Sequence, residues 1–365
     1  MLRLNDIVYC YFDELKEIRK AQVCDLRDNR QMAYIHFLGE DKRNDRWVSA
    51  SQVQATGENE EESADLNVKA MKNIPPELRS FEKIHNHVTR IRNIEAITLG
   101  SNTIKTWYYS PYPPPYYSMP HFFICDHCLQ YFKSQEELNM HLETTNELKP
   151  PGLEIYRESN LSLFELKGDE QKICCQNLSL LSKLFLDHKT LYYDTTGFLF
   201  YILCECDEKG AHIVAYFSRE IDSIDKNILA CIVTLPPYQH RGYGRLLISI
   251  AHEMAKRINR VGGPERPLSD LGSIAFHSYW RDTIVELLKE QPNKIDSISD
   301  IVHETSITEK DVIHILQEIN SVVKVGDDYE LTLDTQLIQK VYDQIKQKPR
   351  RKCDPSLLIW FKENL

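Results

Sequence analysis

Leu235-Pro-Pro-Tyr-Gln-His-Arg-Gly-Tyr-Gly244 joins a short β-branched run, residues 227–234, to a long amphipathic run, residues 245–259. A glycine turn that opens a helix aims unpaired backbone N–H groups and the positive end of the helix dipole at one point, which suits a pyrophosphate. Gly242 and Gly244 permit close backbone approach, and Arg241 and Arg245 add positive charge. The stretch lacks the Gly-Lys-Ser/Thr ending of a P-loop, and its glycine spacing does not fit a dinucleotide fingerprint. Coenzyme A is the alternative. The plainer alternative is a tight turn whose glycines serve geometry alone.

The surrounding chain has 365 residues, 42% hydrophobic and 27% charged, which is globular composition and long enough for two or three domains with real cores. A formal net charge of −10 disfavours nonspecific nucleic-acid binding by the whole chain and suits attraction of basic peptides. Residues 1–11 offer no uninterrupted apolar segment, and no later run approaches the ~20 apolar residues of a membrane span. Ten scattered cysteines with a single Cys-x-x-Cys fit reduced thiols and one metal site better than a disulfide framework, so a soluble, cytosolic or nuclear protein is expected.

Short β-type runs at Ile7–Tyr11, Ala21–Asp25, Met32–Phe37 and Trp47–Val48 predict a small β-barrel of about 50 residues. Gly57-Glu-Asn-Glu-Glu-Glu-Ser63 has the composition of a solvated linker. In Trp107–Tyr117 the alternating prolines and tyrosines forbid a regular helix. Lys183–Asp187 reads as helical, and Leu199–Cys204, Ile213–Ser218 and Ile228–Leu235 read as neighbouring strands. Leu246, Leu247, Ile250, Ala251, Met254 and Ile258 form one helical face, giving a mixed α/β core. Ser297–Val323 predicts a helix, a turn and a second helix, Glu309–Asn320, followed by a hairpin around Gly326-Asp-Asp328. This is a winged-helix-like unit, read either as nucleic-acid-binding or as a packing subdomain.

Several blocks together resemble the MYST family of histone lysine acetyltransferases. They are residues 227–248 around the loop, Pro264-Glu265-Arg-Pro-Leu-Ser-Asp-Leu-Gly272, Ser278-Tyr-Trp280, Asn93-Ile-Glu with Thr106-Trp-Tyr-Tyr-Ser-Pro111, residues 185–194, and Cys353-Asp-Pro. Tyr34-Ile-His-Phe37 and residues 42–47 resemble the chromo-barrel that one essential nuclear branch of the family carries. The resemblance implies an α+β protein in three parts: a chromo-barrel over residues 1–55, a linker over 56–88, and an acetyltransferase domain over 89–365. Within that domain it implies a C2HC-like zinc finger at 120–150, a GNAT-like acetyl-CoA-binding core at 151–290 and a winged-helix-like part at 291–365.

Acetyl transfer to lysine must first remove a proton, because the amine has a reference pKa near ~10.4 and only its neutral form attacks a thioester. A carboxylate whose pKa is raised in an apolar pocket can take that proton, and Glu265 matches the family's general base. Cys231 matches the position facing the acetyl group, either as a transient acetyl-cysteine or as a lining residue during direct attack. Coenzyme contacts carried over are Ile232, Val233 and Thr234 on the strand, Gln239, His240, Arg241, Gly242, Tyr243, Gly244 and Arg245 on the pyrophosphate, and Ser269 and Ser278. His240 stands where the family usually has Arg, and Ser269 alternatively N-caps the next helix. Lys189 matches the position that the family acetylates on itself; by default a lysine is solvated.

Cys125, Cys128 and His141 have the spacing of a structural zinc finger whose fourth ligand should fall at residue 145, which is Thr145. Either Glu143, Glu147 or His127 completes the zinc shell, or the finger persists without metal by packing of Phe122, Phe123, Tyr131, Phe132 and Leu138. In the barrel, Tyr9, Tyr11, Tyr34, Phe37 and Trp47 form either a methyl-lysine cage or the core; RNA and protein partners are equally open. The basic run Lys346–Lys352 is either a nuclear-import signal or a solvated surface. The resemblance implies a nuclear enzyme that acetylates histones or nucleosomes within a multiprotein complex in transcription and DNA repair, with no membrane partner. The competing readings are an inactive chromatin-binding scaffold and an acetyltransferase for nonhistone proteins.

Overall fold

The computed structural model describes residues 2–12, 17–59, 89–348 and 350–360. The chain divides into two compact units, Met1–Phe123 with Leu180–Thr190, and Ile124–Ser179 with Leu191–Leu365. Strands and helices mix in an α+β architecture.

The first unit opens with β1 (Asp6–Phe12), β2 (Glu17–Arg27), β3 (Met32–Phe37), β4 (Arg46–Ser49) and β5 (Val53–Asn59). They form one antiparallel sheet in the order β4-β3-β2-β1-β5. Strand periodicity explains its core: Val8 and Cys10 turn inward while Tyr9 and Tyr11 stay exposed, and Ala21, Val23, Ala33, Ile35, Phe37 and Val48 fill the interior. The turn between β2 and β3 is Asp28-Asn29-Arg30, all three with positive φ, a conformation that Asn and Asp tolerate better than most residues. β5 is an addition to the expected four strands, and it takes Gly57, Glu58 and Asn59 from the segment read as linker. The rest of that linker lies outside the described residues. Next come the hairpin β6 (Ala96–Leu99) and β7 (Asn102–Lys105) and then β8 (His121–Ile124). Between β7 and β8 only a short 3-10 turn, Tyr116–Ser118, interrupts the Pro/Tyr segment.

The second unit adds β9 (Tyr131–Phe132), α1 (Gln135–Thr144), β10 (Leu153–Glu158) and β11 (Leu161–Lys167). After α2 (Lys172–Lys183) come β12 (Phe198–Asp207), β13 (Gly210–Glu220) and β14 (Cys231–Thr234). The helix expected over Lys183–Asp187 therefore sits earlier, since α2 ends where the expectation began. Its apolar positions Cys174, Leu178 and Leu181 repeat at helical spacing and are buried. β10 to β14 form an antiparallel sheet in sequence order; β11 is buried along almost its whole length and β12 through Leu199–Cys204. Ile228, expected to begin the last strand, instead pairs through its N–H with Gly263 O at 2.9 Å, so β14 proper starts at Cys231.

On this sheet pack α3 (Tyr243–Arg257) and α4 (Asp270–Glu290). Leu246, Leu247, Ile250, Ala251 and Met254 are all buried in the same core, as their spacing predicts. Each of the leucine, isoleucine and methionine side chains contributes about 1.5–3 kcal/mol by leaving water. The chain ends with α5 (Ile298–Thr305), α6 (Glu309–Glu318), the hairpin β15 (Val322–Val325) and β16 (Asp328–Leu331), and α7 (Thr335–Gln347). Side-chain caps fix the starts of α5 and α6, where Ser297 accepts from Asp300 N and Thr308 from Asp311 N. Among the described residues no helix is long and apolar enough to cross a membrane.

Candidate active site

β14 is the last strand of its sheet among the described residues: one edge of its backbone pairs with β13, and no further strand follows on the other. At its leading end that second edge is met by residues 263–265. Ile228 N donates to Gly263 O at 2.9 Å and Glu265 N to Leu229 O at 2.8 Å, a parallel bridge between Leu229 and Pro264. Gly262 is required for this approach, because a Cβ there would lie 2.2 Å from Lys226 O. Arg266 then anchors the segment on Asp311 at 2.7 Å, with Thr308 donating to the same carboxylate. Glu265 is thereby held beside Leu229, two residues before Cys231, and the two expected catalytic residues sit on one strand edge. Glu265 is exposed, which departs from the expected apolar pocket; its backbone N–H is held by Leu229 O. Cys231 is partly buried.

At its trailing end β14 runs through a 3-10 turn, Pro236–Tyr238, into α3. Gln239 folds back, its amide donating to Thr234 O at 3.0 Å. His240 has a φ of 62° and Gly242 a φ of 85°, the left-handed turn that swings the chain into the helix. Gly242 is the N-cap of α3 and supplies no side-chain hydrogen bond, so the first N–H groups of this 15-residue helix have no side-chain cap. Ile232, Val233 and Thr234 complete β14, and Gly244 lies against Thr234, where a Cβ would be 3.5 Å from its hydroxyl.

Four arginines surround the turn, two of them not anticipated as part of it. Arg351 Nε donates to Arg241 O at 2.9 Å, and its side chain covers Gly242 and the Tyr243 ring. Arg245 and Arg350 both pair with the fully buried Asp282, at 3.0 and 2.8 Å, and Arg281 joins at 3.1 Å. Burial pushes the Arg245 guanidinium pKa down, opposed by the Asp282 charge. Ser278 accepts hydrogen bonds from Arg350 and Arg245. Arg241 pairs with Glu205 at 3.3 Å, and the Tyr243 hydroxyl donates to the same carboxylate. The basic run 346–352 is thus stitched to α4: Lys346 to Glu290 and Lys352 to Glu286, each at 2.9 Å. Among its described residues it does not behave as a free cationic patch. Ser269 caps α4, accepting from Gly272 N at 3.1 Å, so the capping alternative holds for its oxygen while its O–H remains a donor.

Lys189 belongs to the other compact unit and is buried, against the default of a solvated lysine. The segment before it is clamped by Lys183, whose ammonium donates to Leu186 O at 3.2 Å and Asp187 O at 2.6 Å. Burial pushes Lys183 down to about 8, against the attraction of Asp187. In the same unit, Tyr34 and Phe37 are buried and Arg27 stacks over Trp47 at 4.1 Å. A five-sided aromatic cage is therefore excluded; of the candidate aromatics only Tyr9 and Tyr11 are exposed.

In the finger, Cys125 N donates to Gln130 O and Leu129 N to Cys125 O, each at 2.9 Å, a tight turn that turns both thiols to one side. Ser134 caps α1, which presents His141 with Nε2 3.4 Å from Cys128 Sγ. A hydrogen bond from Cys128 holds the Cys125 thiol well below its ordinary pKa. The three ligand atoms lie within 4.8 Å of one another, a set that fits zinc. Glu143, Glu147 and His127 do not join them. Thr145 caps α1 and its hydroxyl accepts from Glu147 N at 3.2 Å, while His127 is held elsewhere by Ala211.

An outer strand edge that feeds a glycine turn, a helix start without a side-chain cap and a group of arginines come together in an α+β fold, an arrangement suited to a phosphate-bearing ligand. The sequence matches the MOZ/SAS family over residues 149–358 and the MYST family zinc finger domain over residues 91–144. It is 37% identical over 397 residues to the histone acetyltransferase ESA1 of Eremothecium gossypii, covering 96% of this chain and 91% of that protein. It is 35% identical over 416 residues to histone acetyltransferase ESA1 of Saccharomyces cerevisiae, covering 98% and 93%. Against histone acetyltransferase of the MYST family 1 of Arabidopsis thaliana, identity is 38% over 346 residues, covering 90% and 77%. The chain belongs to the MYST (MOZ/SAS) family.

Proposed function

We propose that this chain is a histone acetyltransferase that moves the acetyl group of acetyl-CoA to the ε-amine of lysines in histone tails. The observation that carries the reading is the continuity of Cys231, the β14 edge and the glycine turn within the region matching the MOZ/SAS family. Ile232, Val233 and Thr234 offer backbone groups to the pantetheine amides, and the start of α3 with Arg241 and Arg245 takes the pyrophosphate. Gln239, His240, Gly242, Tyr243 and Gly244 shape that turn, and Ser269 and Ser278 complete the coenzyme contacts.

Glu265 takes the proton from the substrate ammonium; the neutral amine attacks the thioester carbonyl, and coenzyme A leaves as the thiolate. Cys231 lines the acetyl position in this direct route. A Cys231→Ala variant is expected to retain transfer, and its complete loss would favour an acetyl-cysteine intermediate. Residues 1–55 serve as a chromo-barrel and 291–365 as a winged-helix-like part. Cys125, Cys128 and His141 would hold zinc, which would tie the finger turn to α1. Self-acetylation at Lys189, a nuclear location and membership of a multiprotein chromatin complex belong to the same reading.

The test is incubation with labelled acetyl-CoA and nucleosomes or free histones, beside the Glu265→Gln and Gly244→Glu variants. Label on histone lysines well above both variants is expected. Wild-type label no greater than theirs removes the enzyme reading and leaves a chromatin-binding scaffold.

A further inference from the structure

Beside the finger lies a second group of ligand atoms that the acetyltransferase reading does not use: the Asp126 carboxylate, His127 and His212, all within 4.8 Å of one another. Its frame is rigid. Ile213 N donates to Asp126 O at 3.0 Å and Ala211 N to Leu148 O at 2.7 Å, tying the Cys-Asp-His-Cys turn to the start of β13. Gly210 makes the approach possible, since a Cβ there would lie 2.4 Å from Leu148 O and 3.1 Å from His127 Cε1. His127 is 4% exposed, and its ring lies 4.9 Å from that of His212.

The hydrogen bonds around the two imidazoles decide which nitrogens face inward. His127 Nδ1 donates to Ala211 O at 3.0 Å, which leaves Nε2 with its lone pair. His212 Nε2 donates to Asp207 at 2.9 Å, and its Nδ1 meets Asp126 at 2.8 Å. A carbonyl or carboxylate on the far nitrogen of each histidine is the outer-shell pattern that orients imidazole ligands toward a metal. We propose that Asp126, His127 Nε2 and His212 Nδ1 form a second metal site, separate from Cys125, Cys128 and His141, for a borderline divalent cation such as zinc.

Two imidazoles and one carboxylate are three ligands of the tetrahedral shell, with the fourth position left to water. Binding displaces the proton shared by His212 Nδ1 and Asp126, while the Nε2–H stays on Asp207. The site explains why His127 does not complete the finger: its only lone-pair nitrogen belongs to the other group.

Cobalt titration of the metal-stripped full chain separates the two sites, because cobalt bound by thiolates carries a sulfur charge-transfer band and cobalt bound by nitrogen and oxygen does not. The expected result is one cobalt per chain without that band, lost in both His127→Phe and His212→Gln and kept in Cys128→Ser. His212 is less buried than His127, so its variant serves where the first does not fold. The proposal is overturned if all bound cobalt carries the thiolate band, or if either folded histidine variant binds as much cobalt as the wild type.

Discussion

The proposed coenzyme turn and the finger are both candidate ligand sites, and they are built from different parts of the chain. At residues 232–245 the donors are mainly backbone groups, set by an edge strand, a left-handed glycine and a helix start without a side-chain cap. The His240 side chain is exposed and its φ is 62°, so its place in the turn is set by the backbone. In the finger every candidate ligand is a side chain, and the described residues bring three of them together, Cys125, Cys128 and His141, one short of a tetrahedral shell. A backbone-built site survives drift in its side chains; a side-chain-built site does not.

The sharpest way to break this contrast is at Glu265, where the proposed chemistry depends on a side chain. Glu265→Gln is expected to lower turnover by about 10²–10⁴-fold, the usual range for loss of a general base, measured as initial rates at saturating acetyl-CoA. In the finger, Thr145→Cys restores a fourth ligand and is expected to tighten zinc by at least the roughly 10–100-fold that outer-shell partners command. Competition with a chelator reads this directly, and an unchanged affinity would mean that Thr145 is not where the shell is broken.

Within the backbone-built turn the expected effects are smaller. Gly242→Ala forces a Cβ into the left-handed region and to 3.2 Å from Arg351, at a cost of about 1–2 kcal/mol, or roughly tenfold in acetyl-CoA affinity by calorimetry. His240→Arg is expected to change that affinity by less than about fivefold, the scale of one exposed charge. A larger gain there would mean that side-chain charge, not the backbone frame, dominates the turn.

What the sequence made legible follows the same division. The glycine turn, the α3 face at Leu246, Leu247, Ile250 and Ala251, and the helix-turn-helix with its hairpin are all local patterns, and each falls where its spacing puts it. Arg350 and Arg351 were not legible as partners of the turn, because they reach it from about 110 residues away in sequence, through Asp282 and Arg241 O. Their basic surroundings suggested a surface signal; only the fold brings the acidic face of α4 against them. His127 likewise looked like a spare finger ligand, and its carbonyl partner on Ala211 is 84 positions away. The exposed Glu265 has the same origin, since its setting depends on a bridge to Leu229 that spacing alone cannot show.

The most direct measurement takes one preparation of Glu265→Gln and determines both acetyl-CoA affinity and acetyl transfer to histones, beside the wild type. Affinity within about threefold of the wild type with transfer reduced by about 10²-fold or more is the expected result. Transfer at the wild-type rate would contradict the assignment of proton removal to Glu265, and with it the division between a backbone that binds and a side chain that reacts.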